Sequence, residues 1–432
     1  MRIEEIYKIF LKHPSIQTDT RKLQKNDLFF SLKGPNFNGN LFAAQALEKG
    51  AAYVFADEEL PFADDRIIQT KNSLETLQKL AHYHRLQFNT LAGGMSRIPF
   101  IAITGSNGKT TTKELLHELL STTFKTYTTE GNLNNHIGIP LTILKVRPDA
   151  QMAVIEMGAN HLNEIAGYCE YAMPTHGLIT NCGSAHLEGF GSVENVKKGK
   201  GELFEYLRNH NGTAFVNSDD SAVIDLSNGI NKVLFYGVSG KDLHGKIIKS
   251  DPLIEVNIGG LKPMDIKTNL VGAYNFSNVL AAVCLARYFN VDDDKIQMAI
   301  ENYCPSNSRS QLIKQESNTI ILDAYNANPG SMKAAIENFA AMKGNKKILL
   351  LGSMMELGAE SKKEHEAIIS LIDKYNWEDV VLVGNNFREL NHKYINYDNA
   401  LQVKKWLQKQ HPENAQILIK GSRSMQMEKV LE

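Results

Sequence analysis

One stretch restricts the fold more than any other: Ile-Ala-Ile-Thr-Gly-Ser-Asn-Gly-Lys-Thr-Thr at 101–111. An apolar run (98–104) enters a glycine-containing loop, and a helix-like TTKELLHELLS leaves it. Strand, tight loop and helix are the building unit of a largely parallel α/β sheet, whose ligands sit at the carboxyl ends of its strands. Gly105 and Gly108 permit a tight backbone path, so exposed N–H groups and the helix N-terminus can stabilise phosphate oxygens. Lys109 would reach the β and γ phosphates, and the hydroxyl of Thr110 or Thr111 would ligate Mg²⁺. Thr104, Ser106 and Asn107 complete the expected cradle. The spacing is G-x-x-G-K-T; Ile103 stands where the commoner, longer loop has its first glycine. With a strand before and a helix after, ATP is the expected ligand rather than a chance glycine-rich turn.

The rest of the chain divides around this loop. At roughly 150 residues per domain, 432 residues suggest three domains, with expected boundaries 1–92, 93–304 and 305–432. In the first, DLFFSLKG (27–34) reads as a strand, 42–51 as a helix stopped by Gly50, 52–56 as a strand and 73–88 as a polar helix. LAGGMSRIP (91–99) has the composition of a linker. In the second, strands are expected at 153–157, 176–180 and 213–217 with helices between, then an antiparallel appendage over 231–271 and a helix over 273–289. In the third, strands at 319–323, 347–352, 379–384 and 416–421 alternate with helices at 331–342, 361–375 and 401–409, a doubly wound α/β pattern.

Charge excludes one class of function. Lys+Arg 47 against Asp+Glu 48 leaves a net charge of −1, which argues against whole-surface attraction to nucleic acid or anionic lipid. No apolar run approaches the 18–20 residues of a membrane span. The N-terminus places Ile3, Ile6, Tyr7 and Phe10 on one helical face and lacks a signal peptide's unbroken apolar core. The four cysteines, Cys169, Cys182, Cys284 and Cys304, form no CxxC pair, so a reducing cytoplasm is expected rather than a disulfide or zinc scaffold. A monomer is expected.

Three side chains stand out near strand ends. Glu156 ends the strand before Gly158, where a carboxylate near a phosphate loop can hold Mg²⁺ or simply edge the sheet. His186 lies in a glycine-containing loop past another strand end and could ligate metal, orient a phosphate or be structural. Lys200, in VKKGKGELF, reads from composition as part of a solvated basic face with Lys197 and Lys198.

The phosphate loop, Glu156, the His186 loop and GAYNFSN (272–278) together resemble the Mur ligase family. DAYNANPGSM (323–332), MMELG (354–358), KGSRSMQME (420–428), EGNLNNHIGIPLTIL (130–144) and TDTRKLQKNDLFFSLKG (18–34) are similar to the branch that adds D-alanyl-D-alanine. The resemblance implies an N-terminal UDP-binding domain, a central ATPase and a Rossmann-like C-terminal domain. It implies ATP-dependent amide formation between UDP-N-acetylmuramoyl-tripeptide and D-alanyl-D-alanine through an acyl phosphate. It also implies Mg²⁺ held by Glu156 and His186, with Lys200 carbamylated by CO₂ and therefore shielded from solvent. By the same resemblance Asn275 contacts adenine, Arg309 approaches the γ-phosphate and Asp323 meets the ribose. Thr18, Thr20 and the Pro35-Asn36-Phe37 turn face the uridine diphosphate. Asn132, Asn134 and Asn135 face the nucleotide-linked peptide, and Asn326 and Asn328 the incoming dipeptide.

The chain departs from its relatives in places. Tyr274 stands for a common His, Ser308 for a Gly, Ser353 for an Asp, and NGN (38–40) replaces an acidic Gly-His pattern. The stretch 326–330 lacks the arginine of the diaminopimelate-adding relative's Asp-Asn-Pro-Arg, which weakens a charged diamino acid as the incoming amine. The alternatives are another muramoyl ligase or a folylpolyglutamate synthetase, a P-loop ATPase coupling hydrolysis to partner binding, and a non-catalytic nucleotide-binding regulator. The unit preceding the phosphate loop disfavours the folate enzyme. Glu156, His186 and Lys200 together disfavour the regulator.

Overall fold

A computed structural model describes residues 1–88, 98–183, 186–260, 262–344 and 346–432. The expected boundary at 92/93 and most of the 91–99 linker lie outside the described residues. The chain forms two compact units, Met1–Ala102 with Phe124–Gly158 and Glu164–His176, and Ile103–Thr123 with Ala159–Asn163 and Gly177–Glu432. The division runs through two strands, Phe100–Thr104 and His176–Ile179.

The first unit begins with the helix Ile3–Lys12, which buries Ile6 and Phe10 as its 3.6-residue period requires. Four short parallel strands, Ile16–Gln17, Leu28–Phe30, Tyr53–Ala56 and Ile67–Gln69, lie side by side in that order. The strand expected over 27–34 ends early, at Phe30. Lys33–Gly34 instead pairs antiparallel with Phe37–Asn38 around Pro35-Asn36, because proline's fixed φ and missing N–H suit a turn better than a ladder. The helix Ser73–Gln87 is capped by Asn72, whose side chain accepts from the Glu75 N–H. Its buried Arg85 donates 2.9 Å bonds to the carbonyls of Ala172 and Met173, satisfying the end of the helix Glu164–Ala172. Within this unit Thr126–Thr128 pairs in parallel with Met152–Glu156, which lies beside the start of Phe100–Thr104.

In the second unit the end of Phe100–Thr104 is followed across the sheet by His176–Ile179, Thr213–Asn217, Lys232–Gly237, Leu243–Ser250, Leu253–Ile258 and Met264–Val271. The antiparallel appendage expected over 231–271 is therefore only partly right. Lys232–Gly237 extends the parallel ladder, because the helix Ser221–Ser227 supplies the crossover that returns the chain beside Thr213–Asn217. The last three strands alone form the antiparallel meander, and Leu253–Ile258 alternates partly exposed with buried residues as a one-faced strand does.

The C-terminal part of this unit is a six-stranded sheet. Its order is Gln311–Gln315, Asn318–Asp323, Gln416–Lys420, Lys347–Gly352, Asp379–Val383, Ile395–Tyr397. Every pairing is parallel except the first, an edge hairpin that the sequence pattern missed along with the short last strand. Alternate side chains of these apolar strands enter two separate cores. Ile321, Leu349, Leu351 and Leu418 pack with Met332, Ile336 and Ile372, whereas Ile320, Leu350, Ile417 and Ile419 pack with Val403 and Trp406. Helices on both faces explain why the strand sequences are near-continuous apolar runs.

His84, 3% exposed, bridges the Tyr7 hydroxyl (3.1 Å) and the Val146 carbonyl (2.8 Å) inside the first unit. Burial pushes its pKa down to about 4 against the Val146 hydrogen bond, which opposes the shift. A neutral buried imidazole stabilises the fold above its unfolded pKa of roughly 6.5, and that stability is lost as pH falls toward the folded value. Urea unfolding should thus show stability dropping by up to roughly 3 kcal/mol between pH 7 and pH 4. His84→Gln should flatten that slope.

Candidate active site

The phosphate loop is braced by the segment that follows the strand His176–Ile179. Phe100–Thr104 is wholly buried and ends at Gly105, whose φ is +141° and whose Cβ, if it had one, would strike Thr180 Oγ1. The Thr180 hydroxyl donates to the Asn107 carbonyl at 2.5 Å, and Asn181 Nδ2 donates to the same oxygen at 3.0 Å. In return the Asn107 N–H donates to Asn181 Oδ1 (3.1 Å) and the Ser106 N–H to the Asn181 carbonyl (3.0 Å). Ser106 Oγ donates to the Gly183 carbonyl at 2.8 Å. Gly108, at φ +82°, caps the helix Lys109–Ser121 and has no room for a Cβ beside Asn278 Oδ1.

The expected nucleotide residues fall on this frame. Thr104, Ser106 and Thr110 are buried, and Thr111 is half-buried. Lys109 Nζ donates to the carbonyls of Gly105 (2.6 Å) and Ser106 (3.3 Å), so the ammonium lies over the loop. Asn275 is buried, with Nδ2 donating to the Val271 carbonyl and Oδ1 accepting from Asn278 Nδ2, both at 2.9 Å. Asn278 in turn accepts from Thr112 Oγ1 at 3.2 Å. GAYNFSN thereby reaches the phosphate-loop helix through Asn278, a residue that motif reading passed over.

Glu156, in the first unit, ends its strand 1% exposed and accepts from Asn134 Nδ2 at 2.8 Å. Asn134 thus steadies the carboxylate, and Asn135 Oδ1 accepts from the N–H groups of Ile137 and Gly138 at the start of the helix Gly138–Lys145. Asn132 is exposed. Thr20 Oγ1 donates to Gln45 at 2.8 Å, while Thr18 is half-buried and Pro35 and Asn36 are exposed. Phe37 is exposed and stacks on Phe42 with ring centroids 5.7 Å apart.

Lys200 corrects the composition reading. It is fully buried in the helix Val193–Asn209, where the 3.6-residue period puts it on one stripe with Val196, Leu203, Phe204 and Leu207. Gly199, with no space for a Cβ against the Phe190 ring, lets the helix sit close. Lys200 Nζ donates to the Ala159 carbonyl at 3.0 Å and lies 5.2 Å from the Phe190 centroid. Lys198 is exposed and Lys197 faces Asp225, so the solvated face holds for those two lysines alone.

His186 precedes the helix Leu187–Phe190, and its Nδ1 lies 2.5 Å from Glu356 Oε2. That pairing is the largest cause holding the Glu356 carboxyl below its ordinary range. A carboxylate on one imidazole nitrogen leaves Nε2 to face a ligand, the usual arrangement of a metal-binding histidine. Glu356 was not singled out from the sequence; it lies within MMELG, and its carbonyl also accepts from the Glu188 N–H at 3.1 Å. Among the described residues no three His, Cys, Asp or Glu side chains converge to hold a metal.

Arg309 sits in a turn where Asn307, Ser308 and Ser310 all have positive φ, from +49° to +58°. Ser308 thereby holds a left-handed backbone that glycine adopts more readily. Asp323 accepts from the Ser310 N–H (3.1 Å) and from Lys420 Nζ (2.5 Å), a lysine 2% exposed. Asn326 is exposed. Asn328 caps the helix Pro329–Ala341 by accepting from the Ser331 N–H, and its Nδ2 donates to Asn107 Oδ1 at 2.8 Å, tying the C-terminal sheet to the phosphate loop.

Comparison with known proteins places this arrangement. The Mur ligase middle domain matches residues 103–286, the Mur ligase glutamate ligase domain 308–423 and the Mur ligase family catalytic domain 14–85. The chain belongs to the Mur ligase family. Among curated relatives, the UDP-N-acetylmuramoyl-tripeptide--D-alanyl-D-alanine ligase of Escherichia coli (strain K12) is 33% identical, covering 96% of this chain and 92% of the relative. The crystal structure of MurF from Acinetobacter baumannii superposes with a TM-score of 0.86 at 28% identity, covering 96% of this chain and 92% of that one. MurF ligase from Thermotoga maritima in complex with ADP gives 0.84 at 27% identity, covering 98% and 97%.

Gly108→Ala should place a methyl against Asn278 in a left-handed backbone, displacing the helix start. ATP affinity measured by calorimetry is expected to fall about tenfold or more, with the fold retained. Unchanged affinity would contradict the brace.

Proposed function

We propose that this chain is an ATP-dependent ligase that joins D-alanyl-D-alanine to UDP-N-acetylmuramoyl-tripeptide, a step in making peptidoglycan precursor. The observation that carries the reading is coverage: relatives bearing that name match 96% of the chain, across all three family regions in order. The ADP complex of the T. maritima relative supports ATP as the nucleotide. The domains follow as 1–92 for the UDP moiety, 93–304 for ATP and 305–432 for completing the site, working as a monomer in the cytoplasm.

A carboxylate is a poor acyl donor because its oxygen leaves badly. Its oxygen therefore attacks the γ-phosphorus of ATP, the bond to the β,γ-bridging oxygen breaks, and ADP leaves. The dipeptide's amine nitrogen then attacks the acyl carbon. The tetrahedral species loses phosphate and a proton from nitrogen to give the amide. Two anions meet in the first step, so cations are needed. Lys109 and Arg309 supply charge, and the N–H groups at the start of the helix Lys109–Ser121 hold phosphate oxygens. Asn275 and Asp323 position adenine and ribose.

Thr110, Glu156, His186 and a carbamate on Lys200 would hold Mg²⁺, which when bound screens the phosphate charges. Their chemistry fits: a carboxylate, a hydroxyl and an imidazole braced by Glu356 are oxygen and nitrogen donors. Burial accords with the carbamate, which needs an amine shielded from bulk water. In the first unit Thr18, Thr20, Pro35, Asn36 and Phe37 would receive the uridine diphosphate, and Asn132, Asn134 and Asn135 the peptide. Asn326 and Asn328 would receive the dipeptide.

The test is ADP release with UDP-N-acetylmuramoyl-tripeptide and a panel of amines. D-alanyl-D-alanine should stimulate turnover above every single amino acid; no stimulation over buffer removes the proposal. Lys200→Ala should lose about 100-fold or more in kcat, with partial recovery in added short carboxylates. Wild-type rate in that variant would exclude the carbamate.

A further inference from the structure

Arg309 carries a long, flexible side chain on a turn of irregular backbone, yet its guanidinium carbon lies 3.6 Å from the centroid of the Tyr325 ring. The Arg423 guanidinium, from the KGSRS loop, lies 5.7 Å from the same centroid. Two cations thus share one ring. The backbone that carries the ring is tied to the turn: the Tyr325 N–H donates to the Ser308 carbonyl at 3.2 Å, and two residues earlier Asp323 accepts from the Ser310 N–H at 3.1 Å. The ring face is thus where both guanidinium groups meet this side chain.

The negative face of an aromatic ring attracts a guanidinium and lets it lie flat, leaving its edge N–H groups available to an anion. A cation that must meet developing phosphate charge contributes most when its orientation is set beforehand. We infer that Tyr325 is a positioning residue: its ring face holds Arg309 in the orientation used against the terminal phosphate of ATP, with Arg423 as a second cation on the same ring. The inference rests on the role proposed for Arg309 above. The tyrosine in DAYNANPG then has a physical task that its hydroxyl chemistry does not suggest.

The test compares Tyr325→Phe, which keeps the face, with Tyr325→Leu, which keeps bulk and removes it, in the full-length enzyme with melting temperatures matched. Phe should lie within about twofold of wild type in kcat, and Leu should lose about tenfold or more with the KM for the UDP substrate unchanged. In an Arg309→Ala background the Leu change should cost nothing further, because the ring acts through that arginine. A series of fluorinated phenylalanines at 325 should lower log kcat steadily as fluorine withdraws charge from the face. Leu equal to wild type, Phe as poor as Leu, or full additivity with Arg309→Ala would each overturn the inference. If the wild-type enzyme makes no amide, the ligase reading fails. ATP affinity then decides the brace: Leu weaker than Phe supports it, and equal affinities refute it.

Discussion

Everything in the second unit follows from how closely the chain must pass itself at residues 105–108. Two glycines remove side chains where Thr180 and Asn278 press in, and the loop's polar backbone is then satisfied from the side by Thr180, Asn181 and Gly183. The Asn107 carbonyl takes two donors, and the N–H groups of Ser106 and Asn107 are each given a partner. A loop with its backbone held in this way is already ordered, and ordering it only on ligand binding would cost about 1–2 kcal/mol per residue. The neighbouring strand end supplies that rigidity.

The C-terminal sheet is fastened to the same frame by polar contacts rather than by apolar area alone. Asn328 reaches Asn107, and Glu356 reaches His186. Each contact pairs a loop at a strand's carboxyl end with a residue expected to meet nucleotide or metal, which is where doubly wound sheets place their ligands. Such contacts are individually weak, on the order of 1 kcal/mol. They set position, while the two cores on either face of the C-terminal sheet supply the stability.

Sequence reading and structure agree where period and loop chemistry are strong. The phosphate loop and the alternating apolar strands of the C-terminal sheet were legible because each carries a local signal: glycine spacing, or a run too apolar to be half-exposed. The edge strand Gln311–Gln315 was missed, and Lys232–Gly237 was assigned to the antiparallel appendage because pairing direction depends on the crossover and not on the strand's own residues. Lys200 was misread from composition, although its spacing from Val196, Leu203 and Leu207 already marked the buried stripe. Its shielding came into view only through the fold.

Near-neutral charge, three family regions in order and the glycine-lysine loop at 105–109 are properties of the sequence by itself, because they depend on residue type and short spacing. Tertiary structure decided the partners of those residues. That Asn134 holds Glu156, Glu356 holds His186, Lys420 holds Asp323 and a tyrosine ring holds Arg309 could not be read along the chain. These partners lie between 16 and 170 positions apart in sequence, and only the packing of distant elements brings an acid within reach of a base or a ring beneath a cation.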